Sequence, residues 1–367
     1  MNIMRTPSKA RNLDQVRDLI LNLPEKDYAS VAQCQQREAA LIKPTSALGR
    51  LEELSSWLAG WQGRHPPQCR NPKTIVFAGN HGVARHGVSA YPSDVTAQMV
   101  RSFSTGRGAV NQLCRAFGSK LSVYDLKLDL PTRDFLTDGP AMTDKECAEA
   151  IAFGMSVVDR RTDVLALGEM GIANTTSAAA MCYGMFGGSA LEWTTIGTLR
   201  SEQTFYDRKV PAVEEARRLH ADKCVDGLDW LAAVGGRELA AIVGAIIAAR
   251  QQRVPVILDG YVCTAAAAAL WTINSESLDH CRVALSTPEL SHVTLCEKLS
   301  QRPLLDLDIQ FGEGSGSTLA MGLVKAAVAC HVGMASFAEA KVDMETAPDL
   351  PFLETAKPRR SALRSMA

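Results

Sequence analysis

Two segments of the chain each set a glutamate between glycines at the end of an apolar run. One is Leu165-Ala166-Leu167-Gly168-Glu169-Met170-Gly171, leading into Asn174-Thr175-Thr176; the other is Ile309-Gln310-Phe311-Gly312-Glu313-Gly314-Ser315-Gly316. Each reads as a strand, a tight glycine turn and then a helix. The first turn of a helix has N–H groups without partners in the helix, which makes it a ready anion site. Glycine lets a ligand come close to the backbone because no side chain intervenes. A carboxylate beside an anion site can act as a base on a phosphorylated substrate.

Each of these residues also has a plainer reading. Glu313 is either a general base whose pKa is raised by partial burial or a carboxylate that caps the helix after it, at even odds. Glu169 with Gly171 and Asn174 is either an anion or ribose site or an ordinary capped helix, since Asn and Thr are common N-cap residues; taken alone, the cap is favoured. A third segment, Phe77-Ala78-Gly79-Asn80-His81-Gly82-Val83, is followed by Gly87-Val88-Ser89-Ala90-Tyr91-Pro92 and forms a shaped loop; His81 there either is catalytic or, as expected, orders the backbone by hydrogen bonding. Tyr91 is a pocket wall or a loop anchor. Lys209, in Asp207-Arg208-Lys209-Val210, is a candidate phosphate ligand, although a lone lysine is usually solvent-exposed. Ser286 and Thr287 can offer hydroxyls to the same phosphate.

Other chemistries find no support. His65, His86, His220, His280, His292 and His331 show no HxxxH or HxH arrangement, so no metal site is expected. There is no GK[ST] phosphate loop, no GxSxG elbow, and the GxGxG string around Glu313 lacks dinucleotide spacing.

The elements that must position these residues alternate. Arg11 to Leu23, Tyr28 to Ile42 and Leu48 to Trp61 have helical spacing of apolar residues, and the stretch Gly63 to Lys73, with three prolines, reads as a linker. Beyond it, strands are expected at 74–78, 120–126, 163–167 and 254–258. Helices are expected at 94–117, 143–159, 174–186, 238–250 and 264–273, the second opening on a Thr143/Glu146 capping box. Short apolar runs alternating with helices predict a doubly wound α/β fold, a mainly parallel sheet with helices on both faces. Ligands bind off the carboxyl ends of such strands, and Asn80, His81, Glu169, Asp259 and Glu313 all fall there. The tail from Ala347 is basic and expected to fray.

Size and charge narrow the class. The chain has 367 residues, 46% hydrophobic, with 39 basic and 40 acidic residues and a net charge of -1. That balance gives no case for nucleic acid or an anionic membrane. Ten scattered cysteines without a CxxC pair read as reduced thiols. No apolar h-region follows the first basic residues, and the longest apolar stretch, Ala240 to Ala249, is too short to span a bilayer, so a soluble cytoplasmic protein is expected.

Taken in order, the segments resemble the nicotinate-nucleotide–dimethylbenzimidazole phosphoribosyltransferase family, a group of pentosyltransferases, from about Lys43 to about Val342. The matching stretches are Lys43-Pro44 with Leu48-Gly49-Arg50-Leu51-Glu52, then Asn80-His81-Gly82-Val83, Val95-Thr96-Ala97, Gly168 to Thr176, Val234-Gly235-Gly236, Pro255 to Tyr261, and Gly312 to Gly316. The resemblance implies a Rossmann-like catalytic domain at 71–330, a small helical domain built from 1–70 and 331–367, and a homodimer, for which the apolar Leu48 to Trp61 would suit a subunit interface. It implies transfer of the 5-phosphoribosyl group of nicotinate mononucleotide to 5,6-dimethylbenzimidazole, without cofactor or metal, giving α-ribazole 5′-phosphate and nicotinate in cobalamin assembly. The family's catalytic base falls on Glu313 and its second glutamate on Glu169. Gly171 and Asn174 fall at the ribose-phosphate region, with Gly312 and Gly314 flanking the base; Lys209 and Thr287 fall on phosphate ligands. The chain departs from the family at Asn80, where aspartate is common, and at Tyr91 and Met99, where some members carry serine and glutamine against the benzimidazole. It departs again at 286–292 and at Thr198-Leu199-Arg200. The rival expectations are the same chemistry on another base, such as adenine, another benzimidazole or a phenol, and a base- or nucleotide-binding protein without turnover.

Overall fold

The computed structural model describes residues 12–195 and 203–342. Five parallel strands form the central sheet: β1 (Pro72–Ala78), β2 (Lys120–Asp125), β3 (Val164–Met170), β4 (Val256–Leu258) and β5 (Cys281–Val283), in the order β2-β1-β3-β4-β5. The order runs outward from β1 in both directions, so the chain reverses between β1 and β3. A crevice opens at such a reversal, beyond the carboxyl ends of the strands.

Both faces of the sheet are covered, as its continuous apolar strands require. Ile75, Phe77, Leu165, Leu167, Val256 and Leu258 point into one core, filled by the helices Asp144–Ser156, Arg237–Gln251 and Tyr261–Trp271. The alternate residues Val164, Ala166 and Ile257 point the other way, onto Ala320, Met321, Val324 and Ala327 of the helix Ser315–Gly333. At 19 residues this helix has the length and composition to cross a membrane, but here one face is a core face. The capping box at Thr143 is present: its hydroxyl accepts from the Glu146 N–H at 3.2 Å and Glu146 Oε2 accepts from the Thr143 N–H at 2.7 Å.

The helices Tyr28–Ala40 and Arg50–Gln62 meet the far end of Ser315–Gly333. Arg37 Nε donates to the His331 carbonyl at 2.8 Å and Glu38 Oε1 lies 2.7 Å from His331 Nδ1. The first helix, Leu13–Leu21, packs elsewhere, its Leu13, Val16 and Ile20 sharing the main core with the sheet. Leu54, Trp57, Leu58 and Trp61 are buried within the chain, so the apolar face expected to suit a subunit interface is already covered.

Three expectations of local structure are corrected. The segment 94–117 is two helices, Asp94–Ser104 and Ala109–Phe117, parted at Gly106, whose φ is 77°. The strand before Glu169 does not stop at Leu167: Phe77 pairs with Glu169 and Ala78 with Met170, and the left-handed residue comes later, at Ala173 with φ 73°. Ile309–Phe311 belongs to no strand, since no neighbour offers it a ladder of hydrogen bonds.

Gly168 is therefore a strand residue, and its lack of a side chain answers a contact instead of a turn. A Cβ there would collide with the backbone N and Cα of Gly314, the residue after Glu313. Gly168→Ala is expected to lower stability by about 1–3 kcal/mol in urea titration, the usual range for overpacking, and to lower activity by displacing Glu313.

Candidate active site

A cavity of about 520 Å³ opens at the carboxyl ends of the strands. The end of β3 supplies Glu169 and the segment after it Gly171, Asn174 and Thr175; the segment after β4 supplies Gly260 and Tyr261; that after β5 supplies Thr287. Gly312 and Glu313 close the wall from the loop before the helix Ser315–Gly333, Lys209 enters from the helix Gln203–His220, and Tyr91 and Met99 form part of the opposite, apolar wall. A larger hollow of about 990 Å³ lies away from the strand ends, between Lys43, Trp57 and Arg302. Two of its carboxylates, Glu38 and Glu52, are already paired to Lys43, at 3.3 and 2.8 Å.

Glu313 sits in a conformation that side chains seldom adopt, with φ 62°, followed by Gly314 at 77°. Asp259, at the end of β4, holds that turn: its Oδ2 accepts from the Gly314 N–H at 2.9 Å and its Oδ1 from the Ser317 N–H at 2.6 Å. Glu313 itself is 8% exposed, and its Oε2 is buried with no hydrogen-bond partner among the described residues. Burial pushes its pKa up to about 7, and the charge of Asp259 adds to the effect. Glu169 accepts from the Asn174 side-chain amide. Burial carries its pKa up to about 8; the Asn174 hydrogen bond opposes this, and the Asp259, Glu238 and Glu313 carboxylates reinforce it. The site thus gathers carboxyl groups whose surroundings favour the neutral form, one of them with an oxygen free to take a proton.

At the polar end, Lys209 Nζ lies 3.3 Å from Thr175 Oγ1 and 3.4 Å from the Thr195 carbonyl. The residue is 5% exposed, and burial lowers the ammonium pKa to about 8. A buried cation beside a hydroxyl has the makings of an anion seat.

A family model described as a phosphoribosyltransferase matches residues 23–342. The nicotinate-nucleotide–dimethylbenzimidazole phosphoribosyltransferase of Rhizobium meliloti (strain 1021) is 51% identical over 329 residues, 90% of this chain and 96% of that one. The enzyme of the same name from Agrobacterium fabrum is 49% identical over 335 residues, 91% of this chain and 96% of the relative. A crystal structure of the Thermus thermophilus enzyme is 37% identical, covers 86% of this chain and 99% of its own, and superposes with a TM-score of 0.77. The chain belongs to this phosphoribosyltransferase family.

Among the residues that the family resemblance singles out, Glu313, Glu169, Gly171, Asn174, Lys209, Thr287, Tyr91, Met99 and Gly312 all line the one cavity. Asn80 and Gly314 do not. Asn80 is 6% exposed and its amide donates to the Leu128 carbonyl at 2.9 Å, so it ties two loops together behind the wall. Gly314 lies under Gly168, supporting Glu313 from below. Thr198-Leu199-Arg200 and the basic tail lie outside the described residues.

His81 orders its loop by hydrogen bonding, as its place in the glycine-rich segment predicts. Its Nε2 is 2.5 Å from Glu238 Oε1 and its Nδ1 2.9 Å from Ser177 Oγ, all within the core. Asp259 is the residue that sequence reasoning placed at a strand end but gave no role. The signal for that role lies far along the chain, in the amides of Gly314 and Ser317. Asp259→Asn keeps one acceptor oxygen and loses the other, so it is expected to cost about 1–3 kcal/mol of stability. It is also expected to lower kcat about tenfold, a rise of about 1.4 kcal/mol in the barrier, while KM for the nucleotide substrate changes little; steady-state kinetics with urea titration would separate the two effects.

Proposed function

We propose that this cavity transfers the 5-phosphoribosyl group of nicotinate mononucleotide to a nitrogen of 5,6-dimethylbenzimidazole in cobalamin nucleotide-loop assembly. The relatives that share half of this chain's residues carry the name of that reaction. The observation that carries the assignment of roles is the unpartnered, buried Oε2 of Glu313 on the cavity wall.

The bond from the ribose C1′ to the pyridinium nitrogen breaks, its electron pair stays on that nitrogen, and nicotinate leaves with a neutral ring nitrogen that needs no proton. The incoming base attacks C1′ through one ring nitrogen, and the proton on its other nitrogen passes to Glu313, a step worth about 10²–10⁴-fold. Attack from the face opposite the leaving group inverts C1′, so the β-nucleotide gives an α-product. Glu169, held by Asn174, positions the ribose or assists the proton transfer. Lys209 and Thr287 take the phosphate. Gly171 and Gly312 let the substrates approach the backbone, and Tyr91 and Met99 face the aromatic base.

The apolar wall supports a second reading of specificity. Val88, Val95, Met170 and Ile172 line it together with Tyr91 and Met99, a surface suited to flat aromatic rings of several kinds. The test is a competition in which nicotinate mononucleotide is offered equimolar dimethylbenzimidazole, adenine, unsubstituted benzimidazole and a phenol, with products identified by mass. Predominant α-ribazole 5′-phosphate supports dimethylbenzimidazole as the substrate; a predominant product from another base retains the reaction and reassigns the acceptor.

We also read the protein as a cytoplasmic homodimer with a small helical unit from both chain ends. All ten cysteines are free and eight are buried, which fits a reducing compartment. Tyr91 and Phe311 are 50% and 41% exposed at the cavity mouth, an apolar rim that a second copy would cover.

A further inference from the structure

Thr287, on the wall of the cavity, does not stand alone. Its Oγ1 lies 3.0 Å from Nδ1 of His292, which is in the first turn of the helix Leu290–Lys298. On the other side of the ring, Nε2 lies 3.4 Å from Thr264 Oγ1. His292 is 1% exposed. Burial lowers its pKa to about 4, so the ring is neutral, with one nitrogen donating and the other accepting. Which nitrogen carries the proton is set by the partners.

The consequence falls on Thr287, whose hydroxyl has one proton. If that proton is spent on His292 Nδ1, Thr287 shows only lone pairs to the cavity and repels an anion. If Nδ1 carries the ring proton and donates to Thr287 Oγ1, the Thr287 hydroxyl is free to donate into the cavity. That second arrangement needs a donor for Nε2, and Thr264 can be it. The Thr264 hydroxyl donates to the Gly260 carbonyl at 2.8 Å, and that carbonyl also accepts from the Thr264 N–H at 3.0 Å. Turning the hydroxyl toward His292 therefore leaves that carbonyl satisfied.

We propose that the buried chain Thr264–His292–Thr287 is a positioning device that aims the Thr287 hydroxyl proton at the substrate phosphate by holding His292 as the Nδ1–H tautomer. The inference rests on the proposed function, in which Thr287 and Lys209 receive the phosphate.

Two measurements test it. In enzyme carrying ¹⁵N-labelled histidine and saturated with inorganic phosphate, the resonance assigned to His292 through the His292→Asn variant should show a protonated Nδ1 and a bare Nε2. A protonated Nε2, or protons on both nitrogens, would overturn the proposal. In kinetics, His292→Leu should raise KM for the nucleotide and Ki for inorganic phosphate about tenfold, the scale of one hydrogen bond to a charged group, with the loss on KM rather than kcat. In a Thr287→Val background the same change should add less than about twofold, because both act through one hydroxyl. His292→Asn, whose amide can reach the place of Nδ1, should restore most of the affinity, and Thr264→Val should weaken it by breaking the far end of the chain. Additive losses from His292→Leu and Thr287→Val, with no rescue by asparagine, would make His292 a structural residue only. A Thr287→Val enzyme with unchanged KM and unchanged phosphate inhibition would instead remove the phosphate reading on which the inference stands.

Discussion

Glu313→Gln is expected to bind nicotinate mononucleotide with near-normal affinity and to lose turnover by about 10²–10⁴-fold, the contribution of a positioned general base. Glutamine keeps the size of the side chain and so preserves the strained turn at φ 62° and its anchor on Asp259. What it loses is the oxygen that takes a proton. Titration calorimetry with the nucleotide and steady-state release of nicotinate separate the two effects; near-normal turnover would remove Glu313 from the role of base. The same reasoning fixes the pH profile. A base must be ionised to act, and burial holds the Glu313 pKa near 7. In the wild type kcat/KM should therefore fall as pH drops below about 7, and this acid limb should vanish in the residual activity of Glu313→Gln.

Glu169→Gln is expected to move activity and stability in opposite directions. Its pKa is raised from that of a free carboxyl to about 8, chiefly by burial. A raised carboxyl favours the folded state while it is protonated, so its contribution is full below the unfolded pKa of about 4.3. That contribution is lost as pH rises through about 8, where the folded protein must hold a charge that the unfolded chain bears freely in water. Glutamine cannot ionise and escapes that penalty. Glu169→Gln should resist urea better than the wild type at pH 8 to 9, by on the order of 1 kcal/mol because the carboxyl is only partly shielded at the cavity wall, and no better below about pH 4. It should also lose roughly 10²-fold in kcat/KM as the ribose loses its anchor. Equal stability of the two proteins at all pH values would show that Glu169 is ionised without cost.

Together the two carboxyl groups describe a site that accepts instability in exchange for reactivity. Asp259 belongs to the same group: burial raises it to about 6, although it accepts two backbone N–H groups. Three acids close enough to disfavour one another's charge make proton uptake by the unpartnered Oε2 of Glu313 favourable, and the fold tolerates them because a large apolar core surrounds the sheet.

Much of this was legible in the sequence because the signals were local. The apolar runs that became β1, β3 and β4, and the Thr143 capping box, depend on residues a few positions apart. The clustering of Glu169 and Asp259 followed from the rule that parallel strands present their carboxyl ends to ligands, whereas Glu313 joins them from a loop. The misread elements were those decided at a distance. Gly168 resembles a turn glycine, yet it is a strand residue that makes room for Gly314, far along the chain. Ile309–Phe311 has the composition of a strand and lacks one to pair with. Lys209 looked like any surface lysine, and it is buried where Thr175 of the helix after β3 and the Thr195 carbonyl meet it. The residues alone left it one candidate among many, and family resemblance set it on the phosphate. Asp259 gave no hint of its anchoring role, because the amides it accepts belong to the helix after Glu313.

The measurement that bears most directly on the central claim is release of nicotinate from nicotinate mononucleotide, with and without 5,6-dimethylbenzimidazole, followed by chromatography and by the anomeric configuration of the product. Release that depends on the base, matched mole for mole by α-ribazole 5′-phosphate, is the predicted result. Release of nicotinate at the same rate without any base would mean that the cavity hydrolyses the nucleotide, and no release with any aromatic base would mean that it only binds one; either result would contradict phosphoribosyl transfer.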